Sequence, residues 1–227
     1  MASETGDHVR QAVFGANDGL VSTFGLLAGL VGANVPASIL LIANIVNMFA
    51  AGMSMGLGSY LSTKSEVEYH KKLVDEERHR IRHSRSNAEA QLLLLCKQKG
   101  FKNAELKTFM QELMSTDEDW VDFVMEEKYG IGRSSFPDPI KGGVIMFFVF
   151  VGCGFIPILP LFFGLQGMAA LGASAFVTAI ALFFVGALKH KLTERDWLSL
   201  GLENLAIGTI TGTVGFLAGI YTAGLVG

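Results

Sequence analysis

A chain of 227 residues with 50% hydrophobic and only 17% charged side chains, and a mean hydropathy of +0.42, is too apolar for an ordinary water-soluble domain. Its 27 glycines suit packed membrane helices, where small residues let backbones approach. The formal net charge of -3 decides nothing, because the charges are so unevenly placed, while the lack of GxxxxGK, CxxC and HExxH removes phosphate-loop, thiol-redox and zinc-protease chemistry.

The N-terminal residues 1–12 are polar and lack the basic-then-apolar pattern of a cleaved signal peptide. A lone carboxylate, Asp18, then stands at the head of an uncharged run that continues from residue 19 to residue 63. A hydrocarbon core of about 30 Å takes about 20 apolar residues per helix, so this run holds two spans. The turn between them falls at residues 32–38, where Pro36 suits a helix first turn. A second uncharged run, residues 142–188, holds two more, broken near 163–167, and a fifth span follows over residues 197–225.

All 18 Lys and Arg lie outside these runs: Arg10, fourteen within residues 64–141, then Lys189, Lys191 and Arg195. The positive-inside rule therefore places the N-terminus, the middle segment and the last loop in the cytoplasm. Residues 64–141 are too long and polar for a loop. Val67, Val74 and Ile81 recur every seven residues among charges, and no Pro or Gly interrupts residues 59–85, so the second span is expected to run on as a long helix. Further helices are expected over 88–97, 104–113 and 117–129, punctuated by Gly100, Ser115-Thr116 and Gly130. The expected fold is all-α: a polytopic membrane protein with five transmembrane helices and a small helical cytoplasmic domain between the second and third. Its segments are residues 1–12, 13–63 (two spans), 64–141 (the cytoplasmic domain) and 142–227 (three spans).

Of the 21 acids only Asp18 and Glu203 fall within or at the edge of a span. An acid inside a membrane marks an ion or proton pathway by default. The alternatives are that Asp18 caps a helix first turn and that Glu203 is interfacial, near Arg195. Met48 and Met55 are seven apart and share a helix face, while Met53 points elsewhere. A thioether is a soft ligand for transition metals, and it is also ordinary packing. On the long helix, Glu66, His70 and Glu77 form one stripe beside the valine and isoleucine seam, where a bundle can build a metal site. Glu76, His79 and His83 form a second stripe, read as a solvated face.

With these residues in view the chain resembles the vacuolar iron transporter family. The likeness rests on Asn17-Asp18-Gly19-Leu20-Val21-Ser22 with Phe24-Gly25-Leu26-Leu27-Ala28-Gly29, and on residues 51–58 (AGMSMGLG) leading into 60–66. Gly186-Ala187-Leu188-Lys189, Leu192-Thr193 and Gly201-Leu202-Glu203 complete it. The resemblance implies a homodimer, embedded in a lipid bilayer, that exports Fe2+ or Mn2+ from the cytosol in exchange for protons. It also implies that Zn2+ or Co2+ can bind, and it implies neither an enzyme nor a nucleic-acid partner. The implied membrane is that of a vacuole or other acidic compartment in a eukaryote, or the inner membrane of a bacterium. Asp18 and Met55 match the membrane metal ligands, with Asn17, Met48 and Glu203 as further pathway candidates. Residues 64–141 match a metal-collecting domain, in which Glu66, His70, Glu77, Met125 and Glu126 are the candidate ligands. That domain departs from the family pattern. Arg80 stands where Glu77 should have an acidic partner, Ala88 and Gln91 replace a second acidic pair, and Tyr129 and Ser59 stand where acids are expected. The alternative is a membrane-anchored metal sensor or scaffold of the same fold with weak or no transport.

Overall fold

The computed structural model describes residues 2–101, 103–132, 136–191, 193 and 195–226; of the positions singled out above, Met1 and Leu192 lie outside it. Among the described residues the regular structure is helical throughout. The helices are α1 (Ala2–Gly32), α2 (Ala37–His83), α3 (Arg85–Gln98), α4 (Asn103–Leu113), α5 (Asp117–Tyr129), α6 (Pro139–Phe162), α7 (Gly167–Leu188) and α8 (Trp197–Val226), with a 3-10 turn at Lys189–Lys191. Five of them, α1 from His8, α2, α6, α7 and α8, are long and apolar enough to cross a membrane. The helix of the first span begins at Ala2, earlier than the polar composition of residues 1–12 suggested. Contacts divide the chain into a polar unit, Ser62–Asp138 with the N-terminal residues to Glu4, and an apolar unit, Thr5–Leu61 with Pro139–Gly227.

In the apolar unit α6 is the axis on which α1 and α2 are threaded. A Cβ at Gly15 would meet Met146 Sδ at 3.0 Å, and one at Gly19 would stand 2.3 Å from the Phe150 carbonyl oxygen. Residue numbers rise together on the two helices, so α1 and α6 run parallel. On α2, Gly52 faces Phe147, Phe150 and Val151, whereas Gly56 faces Gly143 and Phe147, so α2 runs antiparallel to α6. Met48, Phe150 and Val151 form the buried core between α2 and α6, with Met55, Phe147 and Phe155 packed on it.

The first and last helices meet backbone to backbone. A Cβ at Gly215 would lie 2.4 Å from the Gly25 carbonyl oxygen, and one at Gly219 would lie 1.9 Å from that of Gly29. Two small-xxx-small pairs therefore face each other on parallel helices, which is how membrane helices reach close contact without apolar side chains to bury. Gly186 meets Leu200 and Asn204 in the antiparallel α7–α8 pair.

The polar unit builds its own core from Leu73, Ile81, Ala88, Leu92, Cys96, Trp120, Val121, Val124 and Met125. Of the seven-residue seam, Ile81 belongs to this core and Val74 packs on it. Helix α5 has the bounds its punctuation suggests. Thr116 Oγ1 accepts the N–H of Asp119 at its start, and Gly130, at φ 69°, takes the left-handed conformation at its end.

Candidate metal pathway and the polar unit

Asp18 sits deep inside α1, about four turns from its first residue, so it is not a helix cap. It is half-buried. Its neighbours along the helix, Gly15 and Gly19, press against Met146 and Phe150, so Asp18 lies at the level of the α6 stretch just before Phe150. Met55 lies between Gly52 and Gly56, which bracket the α6 stretch from Gly143 to Val151. With α6 as a ruler, Asp18 and Met55 fall within about one helical turn, roughly 5 Å, of the same depth.

Met48 is fully buried, Met53 is 52% exposed, and Met55 is intermediate. One and a half turns deeper than Asp18, three helices converge over Gly154. Met48 Sδ lies 3.0 Å, and Thr23 Oγ1 3.1 Å, from the position a Cβ there would take. Only glycine leaves room there for both that sulfur and that oxygen.

Thr23 was not legible as a site residue, and what marks it out is a missing hydrogen bond. Thr209, Thr211, Thr213 and Thr222 each donate to the carbonyl four residues back, the usual solution in an apolar helix. Thr23, Ser22, Ser174 and Thr178 do not, and their buried hydroxyls have no partner among the described residues. Gln11 Oε1, Asn17 Oδ1 and Asn44 Oδ1 are buried and unpartnered as well, although Asn44 Nδ2 donates to the Leu40 carbonyl at 2.8 Å. Unmet buried oxygens in an apolar unit need water, a proton or an ion to satisfy them. Glu203 is placed otherwise: its side chain is 54% exposed and Arg195 lies 3.2 Å away.

The candidates of the polar unit do not gather. Glu66 is exposed, as is Glu126, while Met125 belongs to the apolar core. His70 lies edge-on to Phe136, ring centroids 5.9 Å apart, with its buried Nδ1 unpartnered. Glu77 is only 2% exposed and is held by Lys128 Nζ at 2.7 Å, Arg80 at 2.5 Å and the Tyr129 hydroxyl at 3.1 Å. It lies near the far end of α2, in the polar unit and beyond the roughly 20 residues that a membrane core accepts. Burial works to raise its pKa, but the hydrogen bond and charge of Lys128, with Arg80 and Tyr129, outweigh this and hold the carboxyl below the ordinary carboxylate range. Among the described residues, no three His, Cys, Asp or Glu side chains stand together as a ready metal site.

The VIT family model matches residues 9–220. The chain belongs to the VIT family. A VIT family relative from Arabidopsis thaliana, named vacuolar iron transporter 1, is 33% identical over 214 residues, which is 93% of this chain and 84% of that protein. Vacuolar iron transporter 1 of Oryza sativa subsp. japonica is 31% identical over 216 residues, again 93% of this chain and 84% of that protein. The likeness reaches beyond plants: the vacuolar iron transporter of Plasmodium berghei (strain Anka) is 25% identical over 223 residues, 94% of this chain and 82% of that one. The matched region takes in the glycine-flanked Asp18, the methionines of α2 and the α7–α8 loop, so in this VIT family chain the match extends through both units.

Proposed function

We propose that this chain is a transporter, not an enzyme, that exports Fe2+, with Mn2+ as a second substrate, from the cytosol across a membrane in exchange for protons. Family membership and relatives named as vacuolar iron transporters support iron as the cargo. The observation that carries the reading is Asp18: a half-buried carboxylate in mid-helix, at the depth of Met55, in a unit lined with unmet oxygens. Intramembrane acids of this kind are costly in lipid and are kept for ion or proton pathways.

Among the described residues one chain offers a single carboxylate at that depth, too little charge to neutralise a divalent ion. Pairing two copies so that both carboxylates face one another doubles that charge, and this favours a homodimer. A proton and a cation compete for one carboxylate, so acid on the far side displaces the ion and drives release. A vacuolar or other acidic compartment supplies that acid. By the placement of Lys and Arg, the polar unit faces the cytosol.

A second reading, a metal sensor or scaffold with weak transport, is favoured by Glu77, whose Oε1 already accepts from two cations and a phenol. Flux in proteoliposomes separates the two. The expected result is acid-driven Fe2+ uptake by the natural protein and uptake at the level of empty vesicles for Asp18→Ala and Asp18→Asn, with helix content and assembly retained. A natural protein that binds metal but moves none supports the sensor. Normal flux in a folded Asp18→Asn protein sinks the carboxylate role.

A further inference from the structure

On the exposed face of α2, two histidines lie one turn apart, at the i and i+4 spacing from which both can reach one ion once the rings turn out of their stack. His79 and His83 are both exposed, with rings stacked 3.9 Å apart at 13° between planes. His83 Nδ1 lies 3.0 Å from the His79 carbonyl oxygen. A carbonyl only accepts, so Nδ1 carries the proton and the lone pair of neutral His83 is on Nε2, on the outer edge of the ring. The helix thus fixes the spacing of two imidazoles and the tautomer of one before any ligand arrives. Histidines at i and i+4 on one helix face bind a single ion, and the backbone bond to the second nitrogen is the kind of support that orients a ligating histidine.

Charge around the pair does not forbid a cation. The arginines interleaved with it are each tied to a carboxylate: Arg78 to Asp75 at 3.4 Å, Arg80 to Glu77 at 2.5 Å and Arg82 to Asp117 at 3.4 Å. Glu76 lies on the same face one turn before His79, in an exposed pair with Lys72 at 3.7 Å that costs little to open.

We propose that His79 and His83 form a two-imidazole binding site for late first-row divalent ions, Zn2+, Ni2+ or Cu2+, separate from the cargo route through Asp18. Imidazole nitrogens suit these ions rather than Mg2+ or Ca2+, and affinity rises from Fe2+ through Ni2+ to Cu2+. The site therefore prefers ions other than the iron cargo. Water, with Glu76 in reach, fills the remaining coordination positions, since no third ligand is already gathered there among the described residues.

The test uses the whole protein in detergent, stripped of metal, in an Asp18→Asn background so that the pathway cannot contribute. Zn2+ is titrated by calorimetry, and Cu2+ is added for electron paramagnetic resonance. The expected result is a Zn2+ site that weakens by about tenfold or more in His79→Ala and again in His83→Ala, since loss of even an outer-shell partner costs about 10–100-fold. His190→Ala, at another exposed histidine, leaves the site unchanged. The Cu2+ spectrum carries two nitrogen couplings, and each single variant loses the two-nitrogen pattern. Unchanged Zn2+ affinity in either variant, or equal loss in His190→Ala, overturns the proposal. Both side chains are exposed, so circular dichroism and Trp120 fluorescence will match the parent.

Discussion

At the scale of single residues, burial and partners separate side chains that the sequence treats alike. Met48 and Met55 share a face of α2, yet Met48 is fully enclosed whereas Met55 is only part-covered. Met55→Ala should therefore lower Fe2+ flux more than Mn2+ flux, because the softer ion gains more from a thioether. Competition between the two ions in one vesicle preparation checks this, and equal losses would mean that Met55 only packs. Glu77 supports a different prediction. Its folded pKa is depressed, so the stability it contributes is present above the unfolded value of about 4.3 and is lost as pH falls through the lower folded value. Trp120 fluorescence in a Trp197→Phe background should show the polar unit loosening below about pH 4. Glu77→Gln should flatten that acid limb, and Lys128→Ala should cost about 1–3 kcal/mol at neutral pH by leaving a buried acceptor underpaired. The sequence offered Glu77 as a metal ligand through its stripe with Glu66 and His70 and its match to the first acid of a family pair, with Arg80 three residues on as the visible departure. Lys128 and Tyr129, which close the site, are more than fifty residues away in the chain and reach it only through tertiary packing. Met125 and Glu126 are adjacent on a helix and point about 100° apart, so the methionine lies in the core and the acid faces solvent.

At the scale of elements, the runs without charge announced every membrane helix, and Thr116 with Gly130 announced both ends of α5. Charge patterning is strong in lipid because there is no water to forgive a misplaced lysine, which is why so much of this fold is readable. Which helices touch was not readable, because glycine spacing is common to all five spans. The α1–α8 contact is the testable case. Gly219→Ala would set a methyl 1.9 Å from the Gly29 carbonyl oxygen, so backbone must move. The expected cost is about 1–3 kcal/mol, the usual range for overpacking, read as an earlier thermal transition in detergent. Gly224→Ala, with nothing within 4 Å of its Cβ position, is the matched control. A larger residue at Gly154 should act on transport as well as stability, because it would displace Met48 Sδ and Thr23 Oγ1 together.

At the scale of the whole molecule, five helices long and apolar enough to cross a membrane predict termini on opposite faces of it. With Arg10 and the fourteen basic residues of 64–141 on one side, the N-terminus should be cytosolic and the C-terminus not. Reporter fusions at each end read this directly: a fluorescent protein that matures only in the cytosol should light up at the N-terminus and stay dark at the C-terminus. Two bright fusions would remove the odd number of crossings.

The pairing of α1 with α8 also governs how the chain is made. The first helix leaves the ribosome without its partner, and the glycines that will receive it are synthesised roughly 190 residues later, about 10–40 s at ordinary rates of elongation. Throughout that interval Asp18 waits in the translocon or the bilayer on a helix whose α8-facing flank is open. A nascent chain stopped before residue 215 should be recognised by membrane quality control and degraded, and supplying α8 as a separate peptide should rescue it.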